Sequence, residues 1–187
     1  RYWKMYAPET IKPADNLYAP KGAPAFALTN WGELRKYYGI PAKGPLNAEQ
    51  AFNMKRGYFA AISYVDAQIG KLLDELERLD LAEKTIVVFW GDHGWKLGEH
   101  DAWCKHTNFE LDVHAPLIIR APQQTKPGGK TTALVEFVDI YPTLCDLAGL
   151  AKPKALEGLS AAPLLDNPNL AWKTAAFSQY PRSTGGK

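Results

Sequence analysis

The residues best suited to chemistry lie close together, in Trp90-Gly91-Asp92-His93-Gly94-Trp95-Lys96-Leu97-Gly98-Glu99-His100 and on to Trp103-Cys104-Lys105-His106. Asp92 offers a hard anionic oxygen and His93 a neutral ring nitrogen, a donor pair that suits a divalent cation. Lys105 is a compact positive charge suited to an anionic oxygen. The glycines let backbone approach a ligand closely. Taken residue by residue, the same stretch also reads as a capped turn with a satisfied histidine. Lys96 and Lys105 then read as solvated cations, and Trp90, Trp95 and Trp103 as packing residues. Composition and spacing give a metal or anion site as one reading and a structural turn as the other.

The flanking elements place this loop. Thr85 to Trp90 is a short, continuous, β-branched and aromatic run, the pattern of a strand buried on both faces of a parallel sheet. The loop therefore begins at the carboxyl end of a strand, where open α/β sheets bind ligands. Before it, Asn47 with Gln50 three residues on is the signature of a capping box. Tyr58, Ile62, Val65, Ile69, Leu72, Leu76 and Leu79 recur at alternating steps of four and three, one face of a long amphipathic helix. After it, Ala115 to Arg120 reads as a second buried strand, Gln123 to Lys130 as a Pro/Gly loop and Leu134 to Val138 as a brief extended segment. Asp139 then caps a helix through Leu147 that Gly149 terminates, and Ala175 to Tyr180 reads as a further strand. The order is that of an α/β fold, with fewer strands than the five or six of an ordinary sheet.

Three regions follow. Residues 1–46, rich in Pro and aromatics, form an irregular segment packed on the core, with a short helix expected over Trp31 to Tyr38. Residues 47–150 form an α/β core piece that carries the loop 91–108. Residues 151–187 are loop and the start of a further strand.

Bulk properties narrow the classes. The 187 residues hold 46% hydrophobic and 22% charged residues with a net charge of +2. That balance fits a packed globular chain and is too weakly basic for nucleic-acid or membrane-surface binding by bulk charge. No apolar run approaches the ~20 residues that cross a bilayer. Two cysteines, Cys104 and Cys145, exclude a disulfide framework.

Four motifs, in order, resemble the sulfatases of the alkaline phosphatase superfamily. They are GYFAAISYVDAQIGKLLDELERLDL from Gly57 to Leu81, then Gly91-Asp92-His93-Gly94 with Leu97-Gly98-Glu99-His100, Trp103 and Lys105, then Val113 to Ile119, then VEFVDIYPTLCDLAGL from Val135 to Leu150. Within that family, Trp95 and His114 resemble the iduronate-2-sulfatase branch and its bacterial relatives. The resemblance implies part of a mixed sheet with helices on both faces, incomplete in this chain. It implies Asp92 and His93 as ligands of a divalent metal, calcium first, with manganese, zinc or magnesium as the other ions. It implies Lys105 as the catalytic, sulfate-binding lysine, and Trp95 and His100 as substrate-binding residues. The implied reaction is hydrolysis of a sulfated carbohydrate, with phosphate or phosphonate ester hydrolysis, or binding without catalysis, as the alternatives. The family's formylglycine arises in a Cys/Ser-x-Pro-x-Arg motif, which this sequence does not contain. The chain therefore reads as an internal piece that works with the remaining parts of a parent domain. Parents of this kind are periplasmic, secreted or lysosomal.

Overall fold

The computed structural model describes residues 1–28, 32–122, 124 and 127–181. Trp31, part of the Pro/Gly loop expected after Pro122, and residues 182–187 lie outside them. Within the described residues the chain forms two compact units, one from residues 1–75, 91–116 and 179–181, and the other from residues 76–90 and 117–178.

The long helix α1 runs from Ala48 to Arg78, its residues up to Glu75 belonging to the first unit. Its start is the expected capping box: Gln50 N donates to Asn47 Oδ1 at 2.8 Å, and Asn47 N donates to Gln50 Oε1 at 3.0 Å. The Pro-rich amino-terminal segment folds into 3₁₀ turns at Tyr2–Met5, Pro8–Thr10, Ala25–Ala27 and Leu34–Lys36. Only that last turn forms where a short helix over Trp31 to Tyr38 is expected. Proline punctuation gives this segment no long hydrogen-bonded ladder of its own. Side chains fix it to α1 instead. Tyr6 Oη and Ser63 Oγ lie 2.6 Å apart, Lys55 Nζ donates to Lys12 O at 2.7 Å, and Arg56 Nε donates to Trp3 O at 3.0 Å. The unit's core joins Leu34, Ala102, Trp103 and Cys104 to Leu28, Ile40, Leu46, Ala51, Met54, Trp95 and Leu97. The outer part of the apolar stripe on α1 is left uncovered: Ile62 is 51% and Leu72 69% exposed.

The loop after α1 leads to β1 (Val87–Trp90). The small sheet β2 (Lys96–Leu97) pairs antiparallel with β3 (Trp103–Cys104), Lys96 opposite Cys104 and Leu97 opposite Trp103. A single helical turn α2 (Glu110–Val113) follows, then β4 (Leu117–Arg120). In the second unit β1 pairs with β4, Val87 opposite Arg120 and Trp90 opposite Leu117, and the pairing is antiparallel. This corrects the expectation of a strand buried on both faces of a parallel sheet. Phe89, Trp90 and Ile118 keep exposed faces. A continuous apolar run reports burial of both faces in a complete sheet, and in a mixed sheet covered on both faces an antiparallel neighbour goes with the same pattern.

The second unit is organised by Asp139. It follows the 3₁₀ turn Phe137–Asp139 into α3 (Ile140–Leu147). Its carboxylate does not cap α3. It accepts from Glu136 N at 2.8 Å and Leu159 N at 2.7 Å, and pairs with Lys173 Nζ at 2.7 Å. Past α3, Gly149 sits at φ 66° and Leu150 N donates to Cys145 O at 2.8 Å, the helix end that the glycine signals. A short α4 (Ala162–Asp166) completes the unit. The strand expected at Ala175 to Tyr180 does not form, since Phe177 N donates to Glu136 Oε1 at 3.0 Å and makes no ladder.

Candidate active site

Asp92 and His93 adjoin in sequence and converge in space. His93 Nδ1 donates to Gly94 O at 2.8 Å. That bond fixes the tautomer and leaves the lone pair on Nε2, which lies 3.3 Å from Asp92 Oδ2. Two donors at right angles on one cation, each about 2.1–2.4 Å away, would be about 3.2 Å apart. The pair therefore fits a shared cation, and the backbone carbonyl on the second ring nitrogen is the orienting contact that metal-bound histidines use. Asp92 is 87% exposed on its side chain. Among the described residues no group of three or more His, Cys, Asp and Glu side chains could enclose a metal. The pair is a partial shell.

Trp95 ties this pair to the lysine. Its ring stacks on His93 with centroids 5.8 Å apart and on Tyr58 of α1, also at 5.8 Å. Lys105 Nζ lies 4.8 Å from the same indole, within cation–π range. Asp92, His93, Trp95 and Lys105 thus form one group of side chains. Expected for substrate contact, Trp95 also acts as the spacer between the imidazole and the ammonium.

Lys105 is part of a second cluster that sequence reading missed. Its Nζ lies 2.8 Å and 2.7 Å from the two oxygens of Glu33, and His106 Nε2 donates to Glu33 Oε2 at 2.9 Å. Tyr180 Oη lies 2.8 Å from His106 Nδ1. Burial pushes the Glu33 carboxyl up, but the bonds from Lys105 and His106 outweigh it and hold the group below its ordinary value of 4.5. A carboxyl with a depressed folded pKa stabilises above its unfolded pKa, and the effect is lost as pH falls through the folded value. Wild-type stability should therefore exceed that of Glu33→Gln at pH 7, and the gap should close as pH falls below about 4.5. Urea melts at stepped pH check this, and a pH-independent gap would contradict it.

His100 is held by a different set of partners. Its Nδ1 donates to Tyr18 O at 3.1 Å, its Nε2 accepts from Asn16 Nδ2 at 3.3 Å, and its backbone N donates to Asn16 O at 2.6 Å. The described contacts make it an anchor for the amino-terminal segment. Cys104 is buried, and burial first, then the Glu33 charge, pushes its thiol up to about 11. It is a protonated packing residue at neutral pH, not a nucleophile.

The backbone of the loop is strained where these groups sit. His100, Asp101, Cys104 and His106 all have left-handed φ between 53° and 79°, and such residues cluster at functional sites. Gly94 is fixed by contact: its N donates to Asp112 O at 2.7 Å, and a Cβ would lie 2.0 Å from Leu111 O. Gly94→Ala should cost about 2–3 kcal/mol, the scale of an overpacked interior. A denaturant titration would show it, and an unchanged midpoint would contradict the close packing.

Comparison with known proteins decides the family. The profile named Sulfatase matches residues 11–150. This chain belongs to the sulfatase family. Human iduronate 2-sulfatase is 35% identical over 182 residues, covering 81% of this chain and 33% of its own length. The N-acetylglucosamine-6-O-sulfatase of Bacteroides thetaiotaomicron is 36% identical over 146 residues, covering 74% and 26%. Among solved structures, a protein in complex with its substrate D-glucosamine-2-N,6-O-disulfate superposes at TM-score 0.65 with 35% identity, over 72% of this chain and 28% of that one. The phosphonate monoester hydrolase of Silicibacter pomeroyi superposes at 0.73 with 28% identity, over 92% and 35%. This sulfatase chain spans about a third of the length of human iduronate 2-sulfatase. Its α/β architecture is that of the sulfatases of the alkaline phosphatase superfamily, whose members generally use a divalent metal. No helix among the described residues is long and apolar enough to cross a membrane.

Proposed function

We propose that this chain is part of a sulfuric ester hydrolase that removes sulfate from a sulfated carbohydrate of the glycosaminoglycan type. The supporting observation is the convergence of Asp92, the tautomer-fixed His93 and Lys105 on Trp95 in a chain of the sulfatase family. Asp92 and His93 would hold a divalent cation. Calcium is the first choice for the hard carboxylate, and the imidazole also admits manganese, zinc or magnesium. When bound, the cation supplies Lewis-acid polarisation of an ester oxygen. The rest follows from the chain's own groups. His93 presents Nε2 because Gly94 O holds Nδ1–H. Lys105 presents a fixed positive charge, held against the Trp95 ring and by Glu33, where negative charge gathers on the sulfate oxygens. Trp95, half-buried against His93, Tyr58 and Lys105, would line the approach of the sugar to them. The formylglycine nucleophile, and the other carboxylates around the cation, would lie outside this chain, so the chain by itself would not turn over substrate.

A second reading is hydrolysis of a phosphonate or phosphate ester, favoured by the likeness to the Silicibacter hydrolase over 92% of this chain. The test is to assay the full-length protein on aryl sulfate, sulfated glucosamine and iduronate-2-sulfate, and on a phenyl phosphonate monoester, with and without chelator. Chelator-sensitive sulfate release well above phosphonate cleavage is expected. Preferential phosphonate cleavage would move the assignment to the second reading.

A further inference from the structure

Lys96 reads as a solvated lysine in the sequence. The structure corrects this: its side chain is fully buried and pairs with Asp112, 2% exposed on its side chain. The ammonium donates to both Asp112 oxygens and to Thr107 Oγ1, the last at 3.1 Å. Thr107 returns two bonds to Asp112 Oδ2, from its hydroxyl and, at 2.9 Å, from its backbone N. All three ammonium protons and the facing carboxylate oxygens are thus engaged. Burying a charge is costly unless it is fully paired, so such a network holds one geometry and penalises the others.

Its position is what matters. Lys96 follows His93 by three residues, and Thr107 follows Lys105 by two. Gly94 N also donates to Asp112 O, at 2.7 Å. The network ties the stretch carrying Asp92 and His93 to the stretch carrying Lys105 by side-chain bonds, independently of Trp95.

We propose that Lys96, Thr107 and Asp112 form a buried strut that sets the spacing between the Asp92–His93 pair and Lys105, which makes Lys96 a positioning residue for the hydrolysis. This rests on the sulfatase reading for its catalytic part and on the contacts alone for its geometric part. Lys96 touches no substrate and acts through the two segments it joins.

The test uses the full-length protein with Lys96→Met, Asp112→Leu, the double variant and Thr107→Val. Each is followed by thermal melting, kcat and KM on an aryl sulfate, and amide exchange at Gly94 and Thr107. Either single charge deletion strands a buried charge, so melting temperature should fall, both amides should exchange faster, and kcat should drop about 10–100-fold, the usual effect of losing an orienting contact. The double variant replaces the pair by apolar groups of similar size and should regain the melting temperature. Its kcat should stay at least about 10-fold low with KM little changed, because the bonds to Thr107 are gone. Thr107→Val, the mildest change, should lower kcat more than stability and serves if the single charge deletions do not fold. A double variant that regains both stability and kcat would reduce the network to a packing device and overturn the proposal. So would wild-type amide protection in both single variants. If the wild-type protein releases no sulfate, the catalytic reading fails separately. Exchange at Gly94 and Thr107 then decides the strut: joint loss in the single variants, not regained in the double variant, supports it, and no loss overturns it.

Discussion

Asp92→Ala in the full-length protein should lower sulfate release by about 10³-fold or more while leaving the melting temperature unchanged. Direct charge stabilisation at a reacting centre is worth several kcal/mol, and on the proposed reading this substitution removes the anionic member of the Asp92–His93 pair. Stability should not respond, because the side chain is 87% exposed and packs against little. Asp92→Asn separates charge from shape: it keeps an oxygen at the same reach but loses the negative charge, so it should recover little. Initial rates in calcium- and manganese-supplemented buffer, with thermal melting alongside, give the result. Full turnover by the alanine variant would remove Asp92 from the site.

Lys105→Ala should lower kcat by roughly 10²-fold or more, since a preorganised charge facing a developing anion is worth about 3–4 kcal/mol. The structure adds a refinement. Lys105 is half of the compensation for Glu33, so its loss leaves that carboxylate with His106 alone. A modest loss of stability should accompany the rate effect. The double variant Lys105→Ala/Glu33→Gln should recover that stability without recovering kcat. Lys71, exposed on α1 beside Gln68, is the control, and Lys71→Ala should stay within about ±0.5 kcal/mol of wild type and leave the rate alone. Equal small effects at both lysines would take Lys105 out of the active site. Lys96 is not a suitable control, because it is buried in the strut.

What the sequence makes legible here is what short-range chemistry determines. Asn47 and Gln50 carry the start of α1 in their own side chains, and Gly149 carries the end of α3 in its permissive backbone. Asp92, His93 and Trp95 lie within four residues, so their proximity needs little tertiary structure. Long-range partners are not written that way. Glu33 reaches Lys105 across 72 residues, from a proline-broken segment whose only signal is an excess of aromatics. The Lys96–Asp112 pair spans 16 residues, and each partner alone has the profile of a surface charge; only the fold reveals that both are dry. The direction of the β1–β4 pairing misleads in the same way, because a strand covered on both faces is apolar throughout in a mixed sheet as in a parallel one. His100 is the instructive case among the residues that the resemblance implies for substrate binding. Its motif position implies a substrate contact, and its two ring nitrogens are taken by Tyr18 and Asn16.

The left-handed backbone of the loop also restricts how this sequence can drift. At His100, Asp101, Cys104 and His106 any residue other than glycine carries a conformational penalty. Glycine would be conformationally the easiest replacement, yet at three of the four it would discard something. His100 would lose its hold on the amino-terminal segment, His106 its bonds to Glu33 and Tyr180, and Cys104 its place in the core. Asp101, exposed at the turn, is where glycine relieves strain at least expense. Drift in this loop should therefore run toward glycine or asparagine at position 101, and be arrested at its neighbours by bonds whose other ends lie 70 residues or more away in the chain.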